Sequence, residues 1–97
     1  MLVTLEPSEG ADAHIEGQEK AMYYMEQAIR QTIRGVDVLT RYSSRQYLVI
    51  LVGAKTEGVQ GAVDRIFRGY FKMNGSGAFT PSYTVADPEE AKQRGSL

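Results

Sequence analysis

Residues 34–51 read RGVDVLTRYSSRQYLVIL, and this stretch decides the fold. Val38-Leu39 opens a β-prone run that ends in Arg41-Tyr42. Ser43-Ser44-Arg45-Gln46 interrupts it, and Tyr47-Leu48-Val49-Ile50-Leu51 resumes it. Two β-rich runs around so short a polar break predict a hairpin. Upstream of it, Met22, Met25, Ile29 and Ile33 recur at three- and four-residue steps with Ala28 on the same face, which predicts a helix over 18–34. Glu19, Lys20, Glu26, Gln27, Arg30 and Gln31 mostly solvate the rest of it, and Gly35 stands where a helix terminator is expected.

Further out, Leu2-Val3-Thr4-Leu5 is a short β-prone run that Glu6-Pro7 is expected to close. Residues 8–17 form a polar loop bounded by glycine. On the other side, a second helix is expected from Thr56-Glu57 to about residue 71, with Val59, Val63, Ile66, Phe67 and Tyr70 as its apolar face. Gly61 and Gly69 each weaken that helix by about 1 kcal/mol relative to alanine, so packing must hold it. Asn74-Gly75-Ser76-Gly77 is a turn. Residues 79–85 read as a last strand, where Pro81 implies an edge position or a bulge, and residues 87–97 are a polar loop or a frayed helix. The order β-α-β-β-α-β predicts an α+β, ferredoxin-like antiparallel sheet with both helices on one face.

At 97 residues the chain is expected to be one domain or part of one, with room for a modest core. Eleven basic and twelve acidic residues leave a net charge of −1, so no strong field draws it to nucleic acid or anionic lipid. The absence of cysteine excludes disulfides, thiolate metal sites and cysteine nucleophiles. The longest apolar run, 47–52, has the length of a strand rather than of a membrane span. No basic region precedes an apolar segment at the start of the sequence in the manner of a signal peptide, and a cytoplasmic setting is the expectation.

Inside the hairpin frame, Arg34 and Asp37 form an R-x-x-D pair, Arg41-Tyr42 end a strand, and Ser43-Ser44-Arg45-Gln46-Tyr47 fill the turn and the start of an apolar strand. This arrangement resembles the signature hairpin of GGDEF domains, the bacterial diguanylate cyclases that make cyclic di-GMP. The likeness extends to residues 2–7, which resemble the family's first strand with Thr4 and Glu6 at its two acidic positions. It extends also to residues 79–86, with Ser82 at a common serine and Thr84 in place of a glycine. His14, Gly17 and Gln18 are all that resembles the family's guanine-reading motif, and Lys92 and Arg94 could mimic the basic contacts of a terminal helix that the chain does not reach. The resemblance implies the nucleotide-cyclase-palm version of the ferredoxin-like fold, in a piece of a longer signalling protein.

Cyclisation of a nucleoside triphosphate needs Mg²⁺, which takes oxygen ligands and is anchored by carboxylates. At the matching positions stand Thr4, Arg45 and Gln46, and Ser43 and Ser44 replace the two glycines. The expectation is therefore a catalytically inactive GGDEF-like module in bacterial signal transduction, without catalytic residues, bound metal or cofactor. Its partners would be proteins or neighbouring domains of the parent chain, or a second copy in a homodimer. Two alternatives stay open. Arg34 and Asp37 stand where the family's inhibitory site binds cyclic di-GMP, a task that suits a guanidinium fork beside a carboxylate. The same two residues also suit plain helix-exit and turn chemistry. Alternatively, Tyr42, Tyr47 and Tyr83 could make an aromatic sheet surface that stacks bases in a stand-alone RNA- or ligand-binding domain. As core or interface tyrosines they need no ligand. Tyr23 and Tyr24 are adjacent, so one lies off the core stripe, while Arg65, Arg68 and Lys72 make a solvated basic helix face. The single histidine, His14, lies in a loop near Asp12 and Glu16 and makes no dyad by itself.

Overall fold

The computed structural model describes residues 1–8, 15–73 and 78–85. The expectations placed on His14, on the turn at 74–77 and on Lys92 and Arg94 lie outside these residues. Six elements follow in the expected order: β1 (Leu2–Pro7), α1 (Ile15–Arg30), β2 (Val38–Ser43), β3 (Gln46–Ile50), α2 (Thr56–Met73) and β4 (Phe79–Thr84). The strands form one sheet in the order β2-β3-β1-β4, with every neighbouring pair antiparallel. This is an α+β fold with the strand order of the ferredoxin-like split βαβ arrangement.

Alternation along the strands sends Val3 and Leu5 of β1, Tyr47 and Val49 of β3, and Phe79 of β4 to one face. There they join Met22, Met25, Ala28 and Ile29 of α1 and Ile66 and Tyr70 of α2 in one buried cluster. Both helices therefore cover the same face, and their periodic stripes are its other half. The Tyr70 hydroxyl donates to the Phe79 carbonyl at 2.8 Å, so the largest buried side chain of α2 also ties that helix to β4.

Several boundaries differ from the sequence reading by a few residues. Strand β1 runs past Leu5 through Glu6 to Pro7, which pairs with Phe79, because β3 pairs β1 only as far as Thr4 and the missing N–H costs no ladder bond on that side. Helix α1 starts at Ile15 and ends at Arg30, although Ile33 N–H still donates to the Ile29 carbonyl at 2.9 Å. Its exit is not made by Gly35, since Gly53 is the one residue with positive φ (72°) among those described. The carboxylate of Asp37 makes it instead, accepting from Arg34 N–H at 2.8 Å. Strand β3 starts one residue early, at Gln46, because Ser43 and Gln46 pair across the hairpin. Pro81 does lie on an edge strand, β4, as its residue type requires.

Candidate functional site

The hairpin closes on Ser44-Arg45 beyond its last pair, Ser43↔Gln46, and the register shifts between that pair and Arg41↔Tyr47. Two residues of β2 are spent there against one of β3, so Tyr42 is the extra residue of a bulge, and its side chain is turned out to solvent. Neither Ser44 nor Arg45 has positive φ, so this turn has no need of glycine. The bulge takes up the twist that a primed turn would otherwise supply.

Three carbonyls of the turn point at donors. Arg41 donates from Nε to Ser43 O and from Nη2 to Ser44 O, both at 3.0 Å, and Leu5 N–H donates to Arg45 O at 2.8 Å. Arg41 Nη2 also reaches Glu19 of α1 at 3.0 Å, and this hydrogen bond is the main reason that its guanidinium is held charged more firmly than usual. The side chains close on each other as well. Ser43 Oγ donates to Gln46 Oε1 at 2.8 Å, Gln46 Nε2 donates to Thr4 Oγ1 at 3.2 Å, and Arg45 lies 3.6 Å from Glu6. The fold thus brings together Thr4, Glu6, Arg45 and Gln46, which the sequence separates by some forty positions. It brings them together as a polar cluster with a single carboxylate, and that carboxylate faces a guanidinium. Mg²⁺ requires near-octahedral oxygen donors at about 2.0–2.1 Å and usually carboxylates. No group of three histidine, cysteine or acidic side chains that could hold a metal occurs among the described residues.

Arg34 and Asp37 occupy the loop between α1 and β2. The Asp37 carboxylate accepts from Arg34 N–H (2.8 Å), from Arg34 Nε and Nη2 (3.3 and 3.1 Å), and from Val52 N–H at 3.0 Å. Arg34 Nη2 in turn donates to the Val52 carbonyl. Asp37 therefore clamps the exit of α1 to the exit of β3, just before the left-handed Gly53. Its carboxyl is held down at about 2, first by the side-chain hydrogen bond from Arg34 and then by the Arg34 backbone N–H. Its side chain is 2% exposed while that of Arg34 is 61% exposed, so the pair presents a cation and hides its anion.

Beside this clamp lies an open concavity of about 390 Å³, where Arg34 and Asp37 face Glu57 and Arg65 of α2. Ala54, Gly58, Gly61 and Ala62 also line it, and a Cβ added at Gly61 would meet nothing within 4 Å. The sequence puts Arg65 on a solvated basic helix face with Arg68 and Lys72. Its position one turn beyond Gly61, a residue with no side chain to fill the space beside it, is the signal that could have revealed the concavity. The second role missed was that of Arg41, whose reach onto Ser43 and Ser44 depends on the turn's shape.

The tyrosines do not share a surface. Tyr47 is buried beneath the helices and donates to the Met22 carbonyl at 3.1 Å, and Tyr83 packs edge-on against Phe67 with ring centroids 5.8 Å apart. Only Tyr42 of the three points outward, so the described strands offer no row of rings for stacking bases. No helix among the described residues is long and apolar enough to cross a membrane. No family model matches this chain, and no curated protein matches it.

Proposed function

We propose that this chain is a non-catalytic, GGDEF-like regulatory or protein-interaction module of bacterial signalling, working in the cytoplasm on a protein partner or a neighbouring domain. One observation carries the reading. The positions where a cyclase would hold its divalent ion are filled by Thr4, Arg45 and Gln46, none of them a carboxylate, and the Gln46 amide is hydrogen-bonded to Ser43 and Thr4. A cation placed there repels the Arg45 guanidinium and finds one carboxylate, Glu6, which faces that guanidinium. Incubation with GTP and Mg²⁺, followed by chromatography of the nucleotides, tests this. The expected result is unchanged GTP, and a cyclic dinucleotide product would sink the proposal.

A second reading has its own observation. The concavity beside Arg34 combines two exposed arginines, Arg34 and Arg65, with the acid Glu57 and a wall of small residues, and in this reading the arginines would meet the phosphates of cyclic di-GMP. Calorimetric titration separates it from the first. Saturable binding that Arg34→Ala abolishes, with the circular dichroism unchanged, supports a sensor. Equal affinity of the Arg34→Ala variant, or no binding at all, discards it.

A further inference from the structure

The concavity between the exit of α1 and the first half of α2 presents charges of both signs. Asp37 lines it but is already engaged, since its carboxylate is 2% exposed and accepts four hydrogen bonds from Arg34 and Val52. Thr32 turns its hydroxyl onto the Ala28 carbonyl at 3.0 Å. Glu57 and Arg65 are exposed, and neither makes a hydrogen bond or an ion pair among the described residues. They stand eight residues apart on α2, about 12 Å along its axis, which is too far for them to pair as helix neighbours do. With the exposed Arg34, the wall offers two cations and one anion. Between Glu57 and Arg65 it is built from Gly58, Gly61 and Ala62. Gly61 weakens the helix relative to alanine, yet no positive φ requires a glycine there and a Cβ would meet nothing within 4 Å. What its missing side chain provides is room beside the charges.

We infer that this concavity binds a free acidic α-amino acid, its two carboxylates on Arg34 and Arg65 and its ammonium on Glu57. Such a molecule carries two negative charges and one positive charge at neutral pH, the complement of the wall. Guanidinium forks suit carboxylates, and an unpaired carboxylate suits an ammonium. The volume of about 390 Å³ lies within the range of small-molecule sites. The inference goes beyond the interaction-module reading and competes with the cyclic di-GMP reading for the same two arginines. A cyclic dinucleotide brings two negative charges and no cation to set against Glu57, so that acid discriminates between the two ligands. Three charge-assisted contacts to a ligand of about ten non-hydrogen atoms, in an open site, predict a Kd of about 1 mM.

Titration of the ¹⁵N-labelled chain with L-glutamate to about 20 mM, followed by amide chemical shifts at constant pH and ionic strength, tests the inference. The expected result is a set of saturable shifts centred on Gly58, Gly61 and Arg65. Arg65→Ala removes a charge and Gly61→Leu fills the space, and both should lose those shifts with the circular dichroism unchanged. Glutarate lacks the ammonium and should bind the wild type about tenfold more weakly than glutamate, a difference that should vanish in Glu57→Gln. The absence of saturable shifts with glutamate would overturn the inference, as would equal binding of glutarate and glutamate by the wild type. Saturable shifts at the same residues with cyclic di-GMP but not with glutamate would assign the concavity to the nucleotide and overturn it too. None of these outcomes touches the non-catalytic reading, which fails only if GTP is converted.

Discussion

Tyr47→Phe removes one oxygen from the core at the position that follows the hairpin turn. The Tyr47 hydroxyl has a single proton and two acceptors in reach, the Met22 carbonyl at 3.1 Å and Glu26 Oε1 at 3.4 Å. Met22 lies within α1, whose own ladder supplies that carbonyl with a donor, so the substitution strands no buried acceptor. The ring stays, with the Arg41 guanidinium 5.9 Å from its centroid. The loss is therefore one ordinary hydrogen bond, about 0.5–1.5 kcal/mol, against about 3–5 kcal/mol for truncating the same residue to alanine. Urea denaturation followed by circular dichroism measures it, and in a domain of this size Tm falls by about 4–8 °C per kcal/mol. The pH dependence gives an independent check. Burial, more than any other cause, raises the Tyr47 pKa above its ordinary value. Its contribution is thus complete below the unfolded-state pKa of about 10 and is lost as pH rises from there through the folded-state value. Phenylalanine has no proton to lose, so the gap between wild type and variant should narrow above about pH 10. An unchanged or higher stability of Tyr47→Phe, with the same alkaline slope as wild type, would refute the hydrogen bond into α1.

Three further substitutions probe the framework of the candidate sites. Asp37→Asn keeps the shape of the clamp but not its charge. Because the Asp37 pKa is lowered to about 2, its contribution is present above the unfolded value and lost as pH falls through about 2, so acid titration of stability should be flatter in the variant below about pH 4. Gly61→Ala meets open space within an 18-residue helix and should raise stability by about 0.5–1 kcal/mol in the same denaturation assay. Gly53→Ala places a Cβ at φ 72° and should lower stability by about 1–2 kcal/mol; equal effects of the two glycine changes would contradict the backbone geometry.

The architecture was legible because its two helices announce themselves. Met22, Met25 and Ile29 on one, and Val63, Ile66 and Tyr70 on the other, keep helical spacing and all are buried. The hairpin and the edge position of Pro81 followed from turn chemistry and from the missing proline N–H. The phase of β3 was not legible, because 47–51 is apolar at every position and alternation cannot say whether Tyr47 or Leu48 faces the helices. The clamp was half legible. Arg34 and Asp37 are neighbours in sequence, but Val52 N–H, which explains why Asp37 is buried, comes from the far end of the hairpin. The network among Thr4, Glu6, Arg45 and Gln46 needed the sheet register, which pairs Thr4 with Gln46 across 42 positions. The concavity needed the crossing of α2 over the exits of α1 and β3, and no local spacing encodes that.

The most direct measurement is a calorimetric titration of the chain with Mg²⁺ in the presence of GTP. A turn without a carboxylate, whose carbonyls accept from Arg41 and Leu5, should take up neither, giving no heat beyond that of Mg²⁺ binding to free nucleotide. Saturable binding of the Mg²⁺–GTP complex that is lost on replacing Glu6 by alanine would show that the turn holds a metal after all.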